Sequence, residues 1–267
     1  MSRFFISPES INLNSGSITV TGEDVRHIGN VLRAIPGDVL VLSDGLGMDY
    51  EAVIEHIGKD VILTRITGSR PNRTEPPIGL TLFQGLPKAD KMEYIIQKCI
   101  ELGVKRIVPV MTARSVVKFS NAKDSAAKTV RWRRIALEAA KQCDRGIVPI
   151  VEEPVRLEKA LEMSSDCGLK LIPYEEESKG SLKELLRQYG SNSGDSKIST
   201  ECSPSRAINV HVGILIGPEG GFEPDEVERA ARSGFSPVTL GPRILRTETA
   251  GMAVASIIMY EIGDMSK

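Results

Sequence analysis

Two Gly-Pro corners near the C-terminal end of the chain carry the residue types best suited to chemistry. The first lies in "IGPEGGFEPDEV", beginning at Ile216, and the second lies in "LGPRILRTETAGMA". Each follows an apolar run typical of a buried strand. A glycine at such a corner removes the Cβ that would block a ligand, and the proline after it fixes the chain direction. The second corner also brings a cation, Arg246, and a carboxylate, Glu248, close together.

The corners do not match the sequence motifs that cradle phosphate groups. The sequence contains neither G-x-G-x-x-G nor G-K-[ST]. Two glycine corners near one sheet edge are suited to a ligand held through backbone N–H and C=O groups, such as an adenine ring and its ribose. Spacing alone favours a plainer interpretation, in which both corners are only tight strand-to-helix turns.

The corners belong to a C-terminal region in which strands and helices alternate. Apolar strands are predicted at 78–84, 106–110, 168–174, 209–217 and 236–240. Helices are predicted at 88–103, around Trp132, at 181–189, from Glu223 to about Ser233, and from Thr247 to about Ile262. This alternation predicts a parallel sheet covered by helices on both faces. Ligands of such sheets bind where the strands end, which is where both corners lie.

The helix predicted at 88–103 has the clearest apolar stripe, and Gly103 ends it. The residues on its predicted buried face are Met92, Ile95, Ile96, Cys99 and Ile100.

The first 66 residues are instead rich in β-strand signals. Short runs at 17–20, 38–43, 48–57 and 60–66 are rich in Val and Ile and are separated by turn residues, which predicts a small barrel. One helix is predicted at 21–33, with Thr21 as N-cap and Asp24 three residues later. The three prolines of 67–77 predict a linker.

Two domains follow from these patterns, 1–72 and 73–267. A Ser-rich segment, 190–206, has no apolar periodicity and is predicted to be a mobile surface insert.

Composition excludes several classes of protein. The net charge of −1 gives no hint of a polyanionic partner on average, and no apolar run approaches the length of a bilayer span. The four cysteines form no C-x-x-C pair, and the three histidines have no metal-ligand spacing, so neither a zinc site nor a disulfide framework is expected. With no leader sequence recognisable, we expect a cytoplasmic protein that binds no metal and no membrane.

Basic residues are concentrated between Lys105 and Arg145. This segment contains eleven Lys and Arg against three acids, a local charge of +8. On the helix around Trp132 the basic residues fall largely opposite the apolar stripe, so they form a face able to meet phosphates. A solvated helix face is an equally good interpretation of this pattern.

Taken together, these motifs resemble a known family. "LIGPEGGFEPDEV" and "LGPRILRTETA", with "KADKMEYIIQKCIELGV" and "RWRRIALEAAKQC" upstream, resemble the 16S ribosomal RNA (uracil-N3)-methyltransferases of the SPOUT superfamily, the RsmE family. The resemblance covers essentially the whole chain, and the Ser-rich segment is its one departure. It implies an α/β protein with an N-terminal PUA-like β-barrel and a C-terminal SPOUT α/β domain, whose parallel sheet is joined to a trefoil knot.

The resemblance also implies a cofactor, a substrate and partners. The cofactor would be S-adenosyl-L-methionine, and the product would be 3-methyluridine at uridine 1498 of 16S ribosomal RNA, in the small ribosomal subunit. Family members are homodimers whose catalytic cleft lies at the subunit interface. By position in the motifs, the cofactor-binding residues would be Leu171, Pro173, Gly217, Glu219, Gly220, Gly221, Leu240, Gly241, Ile244, Leu245, Arg246 and Thr249.

The barrel and the basic segment would hold the RNA. The candidate RNA-binding residues are Arg3, Arg26, Arg33, Arg114, Lys128, Arg131, Arg134 and Lys141. For those in the barrel, a solvated role is an equally good interpretation.

Arg246 and Glu248 are the candidate catalytic residues. Uracil N3 carries a proton that must leave before methylation, and the resulting negative charge spreads onto O2 and O4. A cation such as Arg246 would stabilise that anion, and Glu248 would act as base or orient Arg246. Their structural alternatives are a phosphate contact or salt bridge for Arg246 and a first-turn carboxylate after an N-cap at Thr247 for Glu248.

Two rival functions remain open at the level of sequence. A methyltransferase of the same superfamily that modifies the ribose 2′-OH of transfer RNA would share the cofactor corners but would need no imide deprotonation. A non-catalytic RNA-binding module is the rival from another class.

Overall fold

The computed structural model describes residues 3–117, 119, 121–177, 180–192 and 210–266. These residues fall into two compact units, of which the first contains 3–75 and 140–148 and the second contains the rest. The predicted Ser-rich insert lies outside the described residues from position 193 onward. Among the described residues, no helix is long and apolar enough to cross a bilayer.

The first unit is built on a six-stranded sheet, as the β-rich pattern predicts. Its strands are β1 (Arg3–Phe5), β2 (Ile11–Asn12), β3 (Ser17–Thr21), β4 (Val39–Ser43), β5 (Met48–Ile57) and β6 (Val61–Pro71). They lie in the order β1-β4-β5-β6-β3-β2, with β1 and β4 parallel and the other neighbours antiparallel. Alternate side chains of these strands, among them Phe4, Ile18, Leu42, Ile54 and Ile62, are fully buried in one apolar core.

The predicted helix of the first unit is shorter than its pattern indicates. It consists of α1 (Glu23–Arg26) followed by a π-helical turn, His27–Val31. The prediction of Thr21 and Asp24 as its cap is wrong, because Thr21 pairs with Val61 in the sheet and the N-cap is Gly22. Gly22 has a φ of 75°, which reverses the chain at a conformation that glycine adopts without strain.

Part of the predicted linker is a strand. β6 continues to Pro71, which pairs with Met48 at the start of β5. A ten-residue β5 requires a partner of similar length, and this requirement overrides the local turn signals of 67–71. Beyond β6, Glu75 fixes the chain by accepting hydrogen bonds from the backbone N–H groups of Gly146 and Ile147, and by pairing with the buried Arg145.

The second unit alternates strands and helices as predicted. Its strands are β7 (Gly79–Gly85), β8 (Arg106–Met111), β9 (Ile150–Val151), β10 (Val155–Arg156), β11 (Leu169–Pro173), β12 (His211–Ile216) and β13 (Ser236–Val238). Its helices are α2 (Lys91–Glu101), α3 (Ala122–Gln142), α4 (Leu157–Met163), α5 (Leu182–Asn192), α6 (Pro224–Arg232) and α7 (Thr247–Glu261). The sequence patterns did not predict α4, β9 or β10, which are short.

All strand pairs of this second sheet are parallel, which confirms the predicted architecture. The order is β10-β8-β7-β12-β11-β13, and β9 also pairs with β8. Residues on one face pack with α4 and α6, as Phe83 and Leu215 do. The alternate positions of β7, such as Leu82 and Gln84, lie under α7 near Gly251. Helices therefore cover both faces of the sheet.

α2 forms as its stripe predicts. Met92, Ile95, Ile96, Cys99 and Ile100 are each at most 2% exposed, and burial of such side chains stabilises the fold by roughly 1.5–3 kcal/mol each. Gly103, with a φ of 89°, follows the helix and turns the chain toward β8. α2 is thereby fixed with its first residue, Lys91, just beyond the carboxyl end of β7.

The order of the strands creates a crevice at one edge of the sheet. β7 leads onward to β8 on one side, whereas the neighbouring β12 leads onward to β13 on the other. Parallel sheets bind ligands at such a point, outside the carboxyl ends of the strands. The loops after β7, β11 and β12 all begin at this edge.

Candidate functional site

A cavity of about 390 Å³ lies at the carboxyl edge of the parallel sheet. Four chain segments enclose it: the start of α2, the loop after β11, the glycine loop after β12 and the residues that lead into α7. The lining residues are Lys91, Pro173, Tyr174, Glu175, Ile216, Gly217, Pro218, Glu219, Gly221, Phe222, Ile244, Leu245, Arg246, Thr247 and Ala250. The first Gly-Pro corner therefore lines the cavity, whereas the second contributes through the residues that follow it, from Ile244 onward, and not through Gly241 or Pro242.

The first corner is packed against the end of β7 so closely that only glycine fits there. A Cβ on Gly85 would lie 2.7 Å from both N and Cδ of Pro218. Within the corner, a Cβ on Gly217 would lie 3.2 Å from backbone atoms of Gly221, whose own φ is 68°. These glycines allow the loop to fold back on itself and to leave its upper side open as one wall of the cavity.

A buried hydrogen-bond chain joins the first corner to the start of α7. The Thr247 hydroxyl donates to the carbonyl oxygen of Gly217 at 2.6 Å and accepts from Nε2 of Gln84 at 2.9 Å. Gln84 and Thr247 are 0% and 5% exposed, so these bonds are sheltered from water. The predicted role of Thr247 as N-cap of α7 is wrong: Arg246 is the N-cap residue, and the threonine side chain is used in this tertiary contact.

Arg114, from the loop after β8, braces the glycine loop from outside. Its Nη1 donates to the carbonyl oxygen of Gly220 at 2.7 Å, and its Nε donates to Glu223 at 2.8 Å. The hydrogen bond to Glu223 raises the pKa of Arg114, and the same bond lowers the pKa of Glu223. The guanidinium predicted to contact RNA therefore has structural partners in the site.

Arg246 lies on the cavity wall with an exposed side chain. Within the described parts of the chain, no hydrogen bond or ion pair joins its guanidinium to another residue. The salt bridge that sequence reasoning left open is thus absent there, and the cation is available to a ligand.

Glu248 does not line the cavity, because Lys91 lies between its carboxylate and the cavity. Its Oε2 is buried and lies 3.3 Å from Nζ of Lys91, which also lies 3.0 Å from Oε1 of Glu219. The hydrogen bond to Glu219 raises the pKa of Lys91, opposed by burial and supported by Glu248. Burial alone would raise the pKa of Glu219, but hydrogen bonds from Lys91 and from backbone N–H groups outweigh it and lower that pKa.

Two family models and several relatives match this chain. A family model described as an RNA methyltransferase domain matches residues 74–259, and one described as an RNA methyltransferase PUA domain matches residues 20–67. Ribosomal RNA small subunit methyltransferase E of Bacillus subtilis is 35% identical over 98% of this chain and 97% of its own length. The enzyme of the same name from Buchnera aphidicola is 30% identical over 92% of this chain and 88% of its own.

The chain belongs to the ribosomal RNA small subunit methyltransferase E family.

Two solved structures of similar proteins contain bound S-adenosylmethionine. The methyltransferase E of Neisseria gonorrhoeae, bound to S-adenosylmethionine, has a TM-score of 0.79 and 30% identity, with 99% of each chain covered. A putative methyltransferase from Legionella pneumophila, also in complex with S-adenosylmethionine, has a TM-score of 0.80 and 31% identity, with 98% of each chain covered.

The cofactor residues expected from membership in the methyltransferase E family separate into two groups. Seven line the cavity: Pro173, Gly217, Glu219, Gly221, Ile244, Leu245 and Arg246. Five do not: Leu171, Gly220, Leu240, Gly241 and Thr249. Leu171 is fully buried within β11, and Thr249 is exposed on α7. Gly220 instead contacts Arg114, which donates to its carbonyl oxygen.

Several lining residues were missed by sequence reasoning. Tyr174 and Glu175 directly follow the predicted Pro173, and Pro218 and Phe222 flank predicted glycines, so adjacency was the available signal. Lys91 had no such signal, and neither did Gln84, which does not line the cavity but donates to Thr247 beneath it; both depend on where α2 and β7 lie in the fold.

The predicted RNA-binding residues differ in their exposure to solvent. Arg26, Arg33, Lys128 and Arg134 are exposed. Arg3 is not: its side chain is 8% exposed and pairs with Asp49, so it is poorly placed to contact RNA, contrary to the prediction. Arg131 pairs with Glu93 and Lys141 with Asp24, and both remain partly accessible.

The local excess of positive charge is smaller than the sequence indicates. Among the described residues of 105–145, five basic side chains pair with acids from other segments: Arg106, Arg114, Arg131, Lys141 and Arg145. Arg145 follows the end of α3 and is 3% exposed, so its predicted place on a basic outer face is wrong.

Proposed function

We propose that this chain is an S-adenosyl-L-methionine-dependent methyltransferase that methylates N3 of a uridine in 16S ribosomal RNA, at uridine 1498 in the usual numbering. One observation carries the proposal: the first glycine corner and the segment that follows the second enclose a single cavity, and its wall presents the Arg246 guanidinium, which has no side-chain partner among the described residues. Family membership and the cofactor bound to the Neisseria and Legionella proteins support it.

The cavity suits this cofactor in size, shape and chemistry. Its volume of about 390 Å³ falls in the range of small-molecule sites. Apolar walls from Ile216, Phe222 and Leu245 would accept the adenine ring, and the backbone of the glycine loop would approach its polar edge. When bound, S-adenosylmethionine supplies an activated methyl group, transferred to N3 with the C–S electron pair left on sulfur.

The chain's own contribution is to stabilise the ionised acceptor. Uracil N3 loses its proton to solvent water, and its electron pair then forms the new N–C bond. Arg246 stabilises the negative charge that the proton leaves on O2 and O4, because an adjacent cation favours the ionised form of an acid. Glu248 is poorly placed to take the proton itself, since its buried oxygen faces Lys91.

The substrate is proposed to be bound by the exposed basic residues of both units. Arg26 and Arg33 would contact phosphates from the first unit, and Lys128, Arg131 and Arg134 from the second. The target base must leave its stack to reach the cavity. Because the proposed substrate is RNA of the small ribosomal subunit, we propose a cytoplasmic location.

The active form is proposed to be a homodimer. Ile244 lines the cavity although it is 83% exposed, and α7 presents Ile257 and Tyr260 outward. A second copy would cover these apolar side chains and complete the cavity wall. The trefoil knot implied by the family resemblance stays a prediction.

Product analysis tests the proposed function. Small ribosomal subunits from cells that lack the gene are incubated with the protein and S-adenosylmethionine, and the digested RNA is examined by mass spectrometry. We expect 3-methyluridine at a single position. Ribose-methylated nucleosides would show a different methyltransferase, and an unmethylated product with no heat of cofactor binding would show an RNA-binding module.

A further inference from the structure

Lys91 is the second cation of the cavity, and the sequence gives no reason for its presence. The charged side chains that line the cavity are Lys91, Glu175, Glu219 and Arg246, with Glu248 behind Lys91. Lys91 is the first residue of α2. A cation at that end opposes the helix macrodipole, so helix stability does not account for it.

Two carboxylates from separate segments hold the Lys91 ammonium at the cavity wall. Glu219 belongs to the glycine loop, and both of its oxygens also accept the backbone N–H of Lys88, at 3.0 and 3.3 Å. Glu248 belongs to the first turn of α7, and its buried Oε2, which accepts no hydrogen bond from the described residues, forms an ion pair with Lys91 Nζ at 3.3 Å. The ammonium therefore joins α2, the first corner and the start of α7.

This arrangement keeps Lys91 protonated at the cavity wall, so that it presents an ammonium N–H donor and not a base. Both carboxylates favour the protonated lysine, whose pKa is raised, first by the hydrogen bond to Glu219. The lysine therefore keeps its charge through neutral and mildly alkaline pH. Since the Glu248 carboxylate pairs with this ammonium, Glu248 acts as a positioning residue.

We propose that Lys91 is a second catalytic cation, which Glu219 and Glu248 hold toward the acceptor base so that Lys91 and Arg246 share the negative charge of the ionised uracil. An imide anion carries its charge on two oxygens, one on each side of N3, and two cations match them. With both present, solvent water suffices as proton acceptor. This inference rests on the proposed function.

The test compares Lys91→Met, which keeps the length but removes the charge, with Lys91→Arg, which keeps the charge. Lys159→Met is the matched control, because Lys159 forms an exposed pair with Glu162 on α4. Single-turnover methylation of small subunits is measured from pH 6 to 9.5, and cofactor affinity is measured by calorimetry.

We expect Lys91→Met to bind S-adenosylmethionine within about threefold of wild type but to react about a hundredfold more slowly at pH 7. Its rate should continue to rise with pH after the wild-type rate has levelled off, because the uracil ionises at a higher pH without the second cation. The deficit therefore shrinks toward pH 9.5. Lys91→Arg should recover most of the rate, and Lys159→Met should equal wild type.

Three outcomes would overturn the inference: an unchanged rate, the same deficit at every pH, or cofactor affinity lost in proportion to rate. The last would mean that Lys91 anchors the cofactor. If Lys91→Met does not fold, as judged by its melting temperature, Glu248→Gln replaces it; a smaller, pH-dependent deficit is expected, and a pH-independent one counts against the inference. Wild-type protein that forms no 3-methyluridine would refute the proposed function itself. Active wild-type protein whose Lys91 variants methylate at the same rate would refute only the role of Lys91.

Discussion

Arg246 and Glu248 are two positions apart at the start of α7, yet their side chains have different surroundings. Arg246 is the N-cap residue, with an extended backbone, whereas Glu248 lies in the first turn of the helix, so the two side chains leave the chain in different directions. Arg246, the N-cap residue, lies on the cavity wall, whereas the Glu248 carboxylate lies behind Lys91. The pair proposed from sequence as cation and base is therefore a cation at the cavity and a carboxylate that positions another cation.

Replacement of Arg246 should affect catalysis much more than cofactor binding. Arg246→Ala is expected to slow methylation about a hundredfold or more, because it removes a cation from the charge that develops on uracil. Affinity for S-adenosylmethionine, measured by calorimetry, should fall less than about tenfold. Arg243→Ala is the control, since Arg243 is exposed at the same corner but does not line the cavity. Near-normal turnover of Arg246→Ala would remove Arg246 from the mechanism.

At the scale of elements, the site depends on how closely neighbouring strands allow their loops to approach. β7 ends in Gly85 beside the Gly-Pro corner that follows β12. Because Gly85 has no side chain, the corner packs directly against the end of β7. This packing places the Gly217 carbonyl oxygen within hydrogen-bonding distance of the Thr247 hydroxyl. One glycine outside the cavity thus controls the position of two of its walls.

Gly85→Ala should therefore weaken cofactor binding without touching the cofactor. Its Cβ would lie 2.7 Å from the backbone N of Pro218, so the corner must move, at a cost of about 1–3 kcal/mol in unfolding free energy. We expect at least tenfold weaker S-adenosylmethionine binding by calorimetry, and a lower urea midpoint. Gly68→Ala serves as control, because its Cβ would meet only the Glu51 side chain at 3.9 Å. Equal affinity in the two variants would contradict this account of the corner.

At the scale of the whole molecule, α7 is apolar on more of its surface than one chain buries. Its inner side packs on α2, α5, β7 and β12, with Val254, Ala255 and Ile258 fully buried. Its outer side still exposes Ile257 and Tyr260, at 39% and 60%. A helix that is apolar all round is buried in its functional state, which favours a second copy as cover.

The proposed homodimer can be tested by its mass in solution. Light scattering should give about twice the chain mass of 29.1 kDa for wild type. Ile257→Asp should give single chains, because an unpaired carboxylate would be buried in the interface. Methylation should fall with dimerisation, while Leu13→Asp, an equally drastic change at an exposed position of the first unit, should leave the mass unchanged. A wild-type mass of one chain would refute the dimer.

The sequence alone determined the β-rich first unit, the parallel sheet of the second, the stripe of α2 and the two corners, because periodicity and turn chemistry are local properties. The sequence patterns overestimated the length of α1, the extent of the linker and the positive charge of the basic face. In each case, contacts with distant segments of the chain decided the structure. Only the tertiary structure placed Lys91 between Glu219 and Glu248 and joined Gln84 to Thr247. These contacts connect residues far apart in the chain, and no local pattern of residue types encodes them.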